Sequence, residues 1–248
     1  METIDIVIGG DLVPDSNLLA AFGKAEKGLL ECPIFDAIRD ADLSIVNLEC
    51  PVIQKPTGIL KSGPVIGVTP DLFEALDSID IFCLANNHIM DHGSDGLEST
   101  INAIKSIGSS FVGVGENADA ALKPTIRNVA GVRVAILAIS EAEFGAASLN
   151  SPGAAPIDLS PITRLLISSR DDWDILVVLV HGGLEHLKTP TPRLRSLCHF
   201  LIDMGASAVI CQHTHCVGAM EYYSEKPIVY SQGNFYFRKP PSYPQHWF

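Results

Sequence analysis

Five times in this sequence a short apolar run ends in side chains able to hold a metal or move a proton. The sets are Asp11; Asn47 with Glu49; Asn87, His88 and Asp91; His181 with Glu185; and His213 with His215. Carboxylate, amide and imidazole together form the donor mixture that a divalent ion of the Zn, Mn or Fe type takes. Facing one another without an ion, the same groups make general acid and base pairs. Residues two apart on an extended backbone point to one face, so His213 and His215 are expected to present both imidazoles to one centre. Each group also has a plainer reading: Asn86 and Asn87 suit a turn or helix cap, Asp11 after Gly9-Gly10 suits a turn, and Glu49 suits a surface. Their joint placement at the ends of successive runs is what separate plain readings do not predict.

The apolar runs are the elements that must position these groups. Residues 4–8, 43–46, 81–85, 175–180 and 207–210 read as buried strands, with further strands at 111–114, 125–129, 132–139 and 228–230. Residues 128–133 read as a hairpin turn. Leu97, Ile101 and Ile104 recur at helical spacing before Gly108, and Leu194, Leu197, Cys198, Leu201 and Ile202 form a stripe between Pro190 and Gly205. Pro70 opens a shorter helix carrying Leu72, Phe73 and Leu76. Strands alternating with helices predict an α/β layered domain with a largely parallel sheet. Ligands of such sheets bind outside the carboxyl ends of the strands, so the five sets are expected to converge on one cleft. Residues 51–70 and 141–161, rich in Gly, Pro, Ser and Ala, are expected to be surface loops over one sheet edge.

Lys plus Arg number 17 and Asp plus Glu 29, a net charge of −12 that repels nucleic acid and anionic membrane surfaces. The largest basic cluster, Arg193 with Arg195, is too small to reverse that, so no nucleic-acid partner is expected. A hydrophobic share of 47% is ordinary globular usage and excludes disordered and fibrous classes. The longest apolar runs, 134–139 and 175–180, fall far short of the ~20 residues a spanning helix needs. Met1-Glu2-Thr3-Ile4-Asp5 lacks the pattern of a secretory signal, so a cytoplasmic chain without a membrane segment is expected. The length of 248 residues fits one domain, 1–239, followed by a tail, 240–248, that serves as a tail, a lid or a contact in a homo-oligomer. Six cysteines without a Cys-x-x-Cys pair read as reduced and structural, Cys211 and Cys216 being the two best placed for reactivity.

Six blocks carry a resemblance. They are Gly10-Asp11; Asn47-Leu48-Glu49; Ala85-Asn86-Asn87-His88 continuing through Asp91, Gly93 and Gly96-Leu97; His181 with Gly183 and Glu185; Gln212-His213-Thr214-His215; and Tyr230-Ser231-Gln232-Gly233-Asn234-Phe235. In order and type they resemble the capsule synthesis protein CapA (poly-γ-glutamate biosynthesis) family of the calcineurin-like metallophosphatase superfamily, over nearly the whole chain. The resemblance implies a four-layer α/β/β/α sandwich, metallophosphatase-like, with its site at the strand ends. It implies metal ligation by Asp11, Glu49, His88, His181, His213 and His215. Catalytic roles fall to Asn87, His88, His181 and Glu185, and substrate contacts to Asn47, Asn86, Asp91 and Asn234. Val13 stands where metallophosphatases carry a histidine and Glu49 where they carry a bridging aspartate, while Gly182, His186 and Cys211 replace the family's usual Trp, Tyr and Gly.

One or two divalent ions (Mn, Zn or Fe), or none, would follow from this. With metal, the expected reaction is hydrolysis of a phosphoester or of an amide in a peptide or glutamyl polymer. Two other readings stay open. One is a metal-free general acid/base enzyme acting on a peptide, such as an α-carbon epimerase using Glu49, Glu185 and the histidines. The other is a non-catalytic accessory protein that binds an anionic polymer in capsule biosynthesis.

Overall fold

A computed structural model of the chain describes residues 3–18, 33–73 and 76–237; the expected tail 240–248 and Cys32 lie outside them. The first sheet joins β1 (Ile6–Val13), β2 (Leu43–Leu48), β3 (Ile81–Cys83), β4 (Ser110–Val112) and β13 (Asn234–Phe237) in the order β13-β1-β2-β3-β4. All its pairs are parallel. A small antiparallel pair is formed by β5 (Val114–Gly115) and β8 (Gly153–Ala154). The second sheet joins β6 (Thr125–Val129), β7 (Val132–Ser140), β9 (Ile175–His181), β10 (Ala208–Gln212), β11 (Met220–Tyr223) and β12 (Lys226–Val229) in the order β11-β12-β10-β9-β7-β6. It is parallel at its centre and antiparallel at both margins.

Strand periodicity builds the layers. In β2, Leu43 and Ile45 pack with Val177 and Leu179 of β9, so these side chains lie between the sheets. Val46 and Leu48 point the other way, into a core shared with α1 (Pro33–Asp40) and α2 (Gly93–Ser106) through Phe35, Ile38, Leu97 and Ile104. In β9, Leu176, Val178 and Val180 turn from the first sheet toward α4 (Leu159–Ser168) and α5 (Pro192–Asp203), meeting Ile162, Leu166, Leu194 and Cys198. The short α3 (Ala118–Ala121) also joins that core through Ala121. A strand buried on both faces reads as a continuous apolar run, which is why these central strands are visible in the sequence. Helix, sheet, sheet, helix is the order of layers, the expected α/β/β/α sandwich.

Three expectations are corrected. The first strand does not stop at Gly9 but runs through to Val13, because β1 lies between β2 and β13 and its backbone groups are paired on both sides. Glycine is required at position 10, where a Cβ would stand 1.9 Å from the Gly233 carbonyl oxygen. The helix expected after Pro70 is a single 3-10 turn, Pro70–Leu72. The two expected surface loops are partly interior. Residues 141–161 contain β8 and the buried Ala147, Ala154 and Ala155. Residues 51–69 form a strap closed on itself, with Val52 bridged to Val68 and the Ile53 N–H donating to the Val68 carbonyl at 2.7 Å. Among the described residues no helix is long and apolar enough to cross a membrane.

Candidate metal centre

The first sheet brings Asp11 on β1, Asn47 on β2, Glu49 just after it, and Asn86, Asn87 and His88 after β3; the second brings His181 as the last residue of β9 and His213 and His215 after β10. Two groups of ligand atoms result, Glu49 with His181 and His213, and Asp11 with Glu49 and His215, each set lying within 4.8 Å. Glu49 belongs to both.

Glu49 is fully buried, and among the described residues neither of its carboxylate oxygens has a hydrogen-bond donor. Natural interiors seldom leave a carboxylate so, because the desolvation is uncompensated. A cation supplies what the protein withholds, and in that respect the residues fit a divalent ion. Burial pushes the Glu49 carboxyl well above its ordinary 4.5, and the charges of Asp11 and Glu185 push it further. Burial also raises Asp11, against the opposing effects of the His215 ring, an Asn47 amide hydrogen bond at 2.7 Å and the His213 N–H at 3.1 Å. Burial, aided by the charges of neighbouring His213, His215 and His88, drives His181 well below 6.5. Its neutral imidazole is the ligating form. The His181 Nε2 lies 3.6 Å from Glu49 Oε1 and 3.2 Å from His213 Nδ1, three donors aimed at one point.

A surrounding layer holds these ligands. Asn47 accepts from Asn86 Nδ2 at 3.1 Å, and Asn86 also donates to the Leu48 carbonyl at 2.8 Å, so both amides named as substrate contacts are committed to the scaffold. Asn234, the first residue of β13, faces His215 Nδ1 at 2.8 Å. Orienting partners of this kind fix a ligand's ring and tautomer. His213 and His215 were expected at one centre, but they fall in different groups that share only Glu49, and they do not lie on the extended backbone expected of them. β10 ends at Gln212, and the two histidines adopt φ of 98° and 57°, left-handed values that are costly outside glycine. The turn, rather than strand alternation, aims both rings inward.

Other expected residues stand apart from the two groups. His88 is buried beside them, but its Nδ1 faces Asp91 Oδ2 at 2.7 Å and it joins neither set. Asn87 bridges the halves, its Oδ1 3.1 Å from His181 Nε2 and its amide donating to Glu143 Oε2 at 3.1 Å. Glu185 is exposed at the rim, 3.8 Å from His186. Cys211 is fully buried with its Sγ 3.5 Å from that of Cys198, and this neighbour and then burial push its thiol well above 9.0, away from the thiolate a reactive cysteine needs. Two residues at the site carry no motif of their own. Glu143 reaches Asn87 and lies 3.8 Å from His213, and Lys61 pairs with Asp91 from the strap. One of two lysines in a Gly- and Pro-rich stretch, Lys61 carries no further mark in the sequence.

The family model described as "Bacterial capsule synthesis protein PGA_cap" matches residues 5–239. The capsule biosynthesis protein CapA of Bacillus anthracis is 33% identical over 160 residues, 62% of this chain and 39% of that protein. The PGA biosynthesis protein CapA of Bacillus subtilis (strain 168) is 33% identical over 156 residues, 62% of this chain and 41% of that one. The matched part of this chain thus spans about two fifths of these relatives. Among solved structures, a hypothetical protein from Thermus thermophilus superposes with a TM-score of 0.58 at 17% identity, covering 93% of this chain and 77% of that one. The 5'-nucleotidase from Candida albicans superposes with a TM-score of 0.53 at 11% identity, covering 95% and 47%. Likeness at those identities shows the metallophosphatase-like fold and nothing finer.

Proposed function

This chain belongs to the bacterial capsule synthesis protein family PGA_cap, and from that premise we propose that it is a metal-dependent hydrolase. Its substrate would be an amide bond of a peptide or glutamyl polymer, or a phosphoester. The names of the two Bacillus relatives place them in capsule and PGA biosynthesis, which favours the polymer amide. The observation that carries the reading is Glu49, a buried carboxylate that belongs to both histidine-bearing sets and has no hydrogen-bond donor among the described residues.

His181 and His213 would complete one ion position and Asp11 and His215 the other, with Glu49 common to both. A divalent ion of the Mn, Zn or Fe type activates water and polarises the scissile group. The rest falls to the protein. Asn87, whose amide donates to Glu143, orients the substrate. His88, with the Nδ1 hydrogen committed to Asp91, keeps a bare Nε2 that would take a proton from the attacking water and then pass it to the leaving group.

A second reading has one observation in its favour. Without metal, burial raises Glu49 and lowers His181, which favours the uncharged form of each, and the two lie 3.6 Å apart, a pairing suited to proton transfer next to a carbonyl. Metal analysis of protein purified without chelator, with turnover of p-nitrophenyl phosphate and a glutamyl anilide before and after chelation, separates the two. Stoichiometric Mn, Zn or Fe with chelator-sensitive turnover is expected, and alanine at both His213 and His215 is expected to abolish metal uptake. Full turnover by metal-free protein would favour the acid/base reading instead.

A further inference from the structure

The strap of residues 51–69 carries a lysine into the interior. The Lys61 side chain is only 2% exposed, and its ammonium pairs with the fully buried Asp91. The same Nζ lies 3.2 Å from His88 Nδ1 and 3.5 Å from the Asn87 carbonyl, and 5.2 Å from the centre of the Phe144 ring. The strap is pinned around it: the Ile59 N–H donates to the Asp91 carbonyl at 2.9 Å, the Ile66 N–H to Asp91 Oδ2 at 2.8 Å, and the Thr57 N–H to His92 Nδ1 at 2.9 Å.

Donor and acceptor rules assign the hydrogens. An ammonium has no lone pair to offer and a carboxylate no hydrogen, so His88 Nδ1 cannot serve both neighbours. It lies 2.7 Å from Asp91 Oδ2 and 3.2 Å from Lys61, which makes it a donor to Asp91. The ammonium is then left to Asp91 Oδ1 and the Asn87 carbonyl. Both oxygens of Asp91 are thereby committed, one to Lys61 and the other to the His88 ring and the Ile66 N–H. A buried ion pair contributes little to stability that apolar groups of the same volume would not. Orientation explains the charge better.

We propose that Lys61 is a positioning residue: by fixing Asp91 it holds His88 in the tautomer with hydrogen on Nδ1, leaving Nε2 for the reaction. Only the kinetic part of this inference rests on the hydrolase reading. The geometric part is tested without turnover, by nitrogen-15 spectra of the imidazoles in the full-length, metal-free chain, with His88→Gln used to assign the signals. The wild type is expected to show His88 with a protonated Nδ1 and a bare Nε2. In Lys61→Met these signals are expected to move toward the average of the two tautomers, and in Lys61→Arg to return.

In p-nitrophenyl phosphate turnover, Lys61→Met is expected to lower kcat ~10–100-fold and to hold KM within about twofold. Its metal content is not expected to fall, and Lys61→Arg is expected to recover most of kcat. Should Lys61→Met not fold, Lys61→Gln, also uncharged, carries the same expectations. Unmoved His88 signals in a folded, uncharged variant overturn the inference, as does an unmoved kcat. A wild type that hydrolyses nothing overturns the hydrolase reading alone, and the spectra still decide on Lys61.

Discussion

Glu49 carries an electrostatic liability that only a bound cation relieves, and this makes its removal informative. Its folded pKa lies above the unfolded 4.5, so the folded, metal-free chain retains a proton that the unfolded chain gives up. Stability is therefore lost as pH rises from that unfolded value through the folded one. Glu49→Gln removes the charge and with it much of this slope. Urea unfolding in chelator at pH 8 is expected to find the variant more stable by ~0.5–2 kcal/mol, while metal analysis finds neither group occupied. An unchanged slope would mean that Glu49 is not the group responsible. Glu49, His213 and His215 were legible because residue type and spacing announce them. Lys61 and Glu143 were not, since a loop side chain acquires its role only from where the loop folds back.

At the scale of elements, the outer face of the second sheet is tied to its helix by one carboxylate. Glu221 on β11 accepts from the Tyr230 hydroxyl at 2.5 Å, faces His199 Nε2 on α5 at 2.5 Å and accepts from Arg195 at 3.2 Å. The Tyr230 hydroxyl, then His199 and, opposed by slight burial, Arg195 bring its carboxyl down to about 2. A folded pKa below the unfolded 4.5 means stability present above that value and lost as pH falls toward about 2. Glu221→Gln is thus expected to lose less than the wild type when urea midpoints at pH 3 and pH 6 are compared; an equal loss in both would contradict it. Gly10 makes a steric case. Gly10→Ala forces β1 and β13 apart and is expected to cost ~1–3 kcal/mol in denaturant unfolding, whereas a neutral result would show that the strands can yield. The central strands were legible as continuous apolar runs. β13 was not, because Asn-Phe-Tyr-Phe is short, half-buried and free of alternation, and α4 was hidden behind Pro161 with only Ile162 and Leu166 fully buried.

Across the whole molecule, each ligand group draws on both sheets: Glu49 from the first meets His181 and His213 from the second, and Asp11 and Glu49 meet His215. An ion held by either group links the two layers and binds the folded chain alone. Free Mn or Zn at a hundredfold excess over Kd is expected to add ~2.7 kcal/mol. In a domain of this size that is a rise in melting temperature of roughly 5–10 °C. Calorimetry with and without chelator reads it, and a melting temperature indifferent to metal would argue that the cluster holds none. Strand–helix alternation made an α/β layered domain legible, and the four-layer order came only with the family resemblance. One cleft at the strand ends was legible from pattern, but its closure by two separate sheets around Glu49 came only with the resemblance, because pattern gives each strand's faces and not which strands meet.

The pairing of β13 with β1 puts Asn234 beside Asp11, neighbours in space from opposite ends of the described chain. A ribosome makes these residues in order, and Asp11 must wait for nearly everything between them to be translated. The group that includes Asp11 and His215 can therefore take its final form only once β13 has been made. Until Asn234 has emerged from the exit tunnel, His215 lacks its orienting amide and β1 keeps an open edge. An ion held by Asp11, Glu49 and His215 takes its final place only after translation has passed β13.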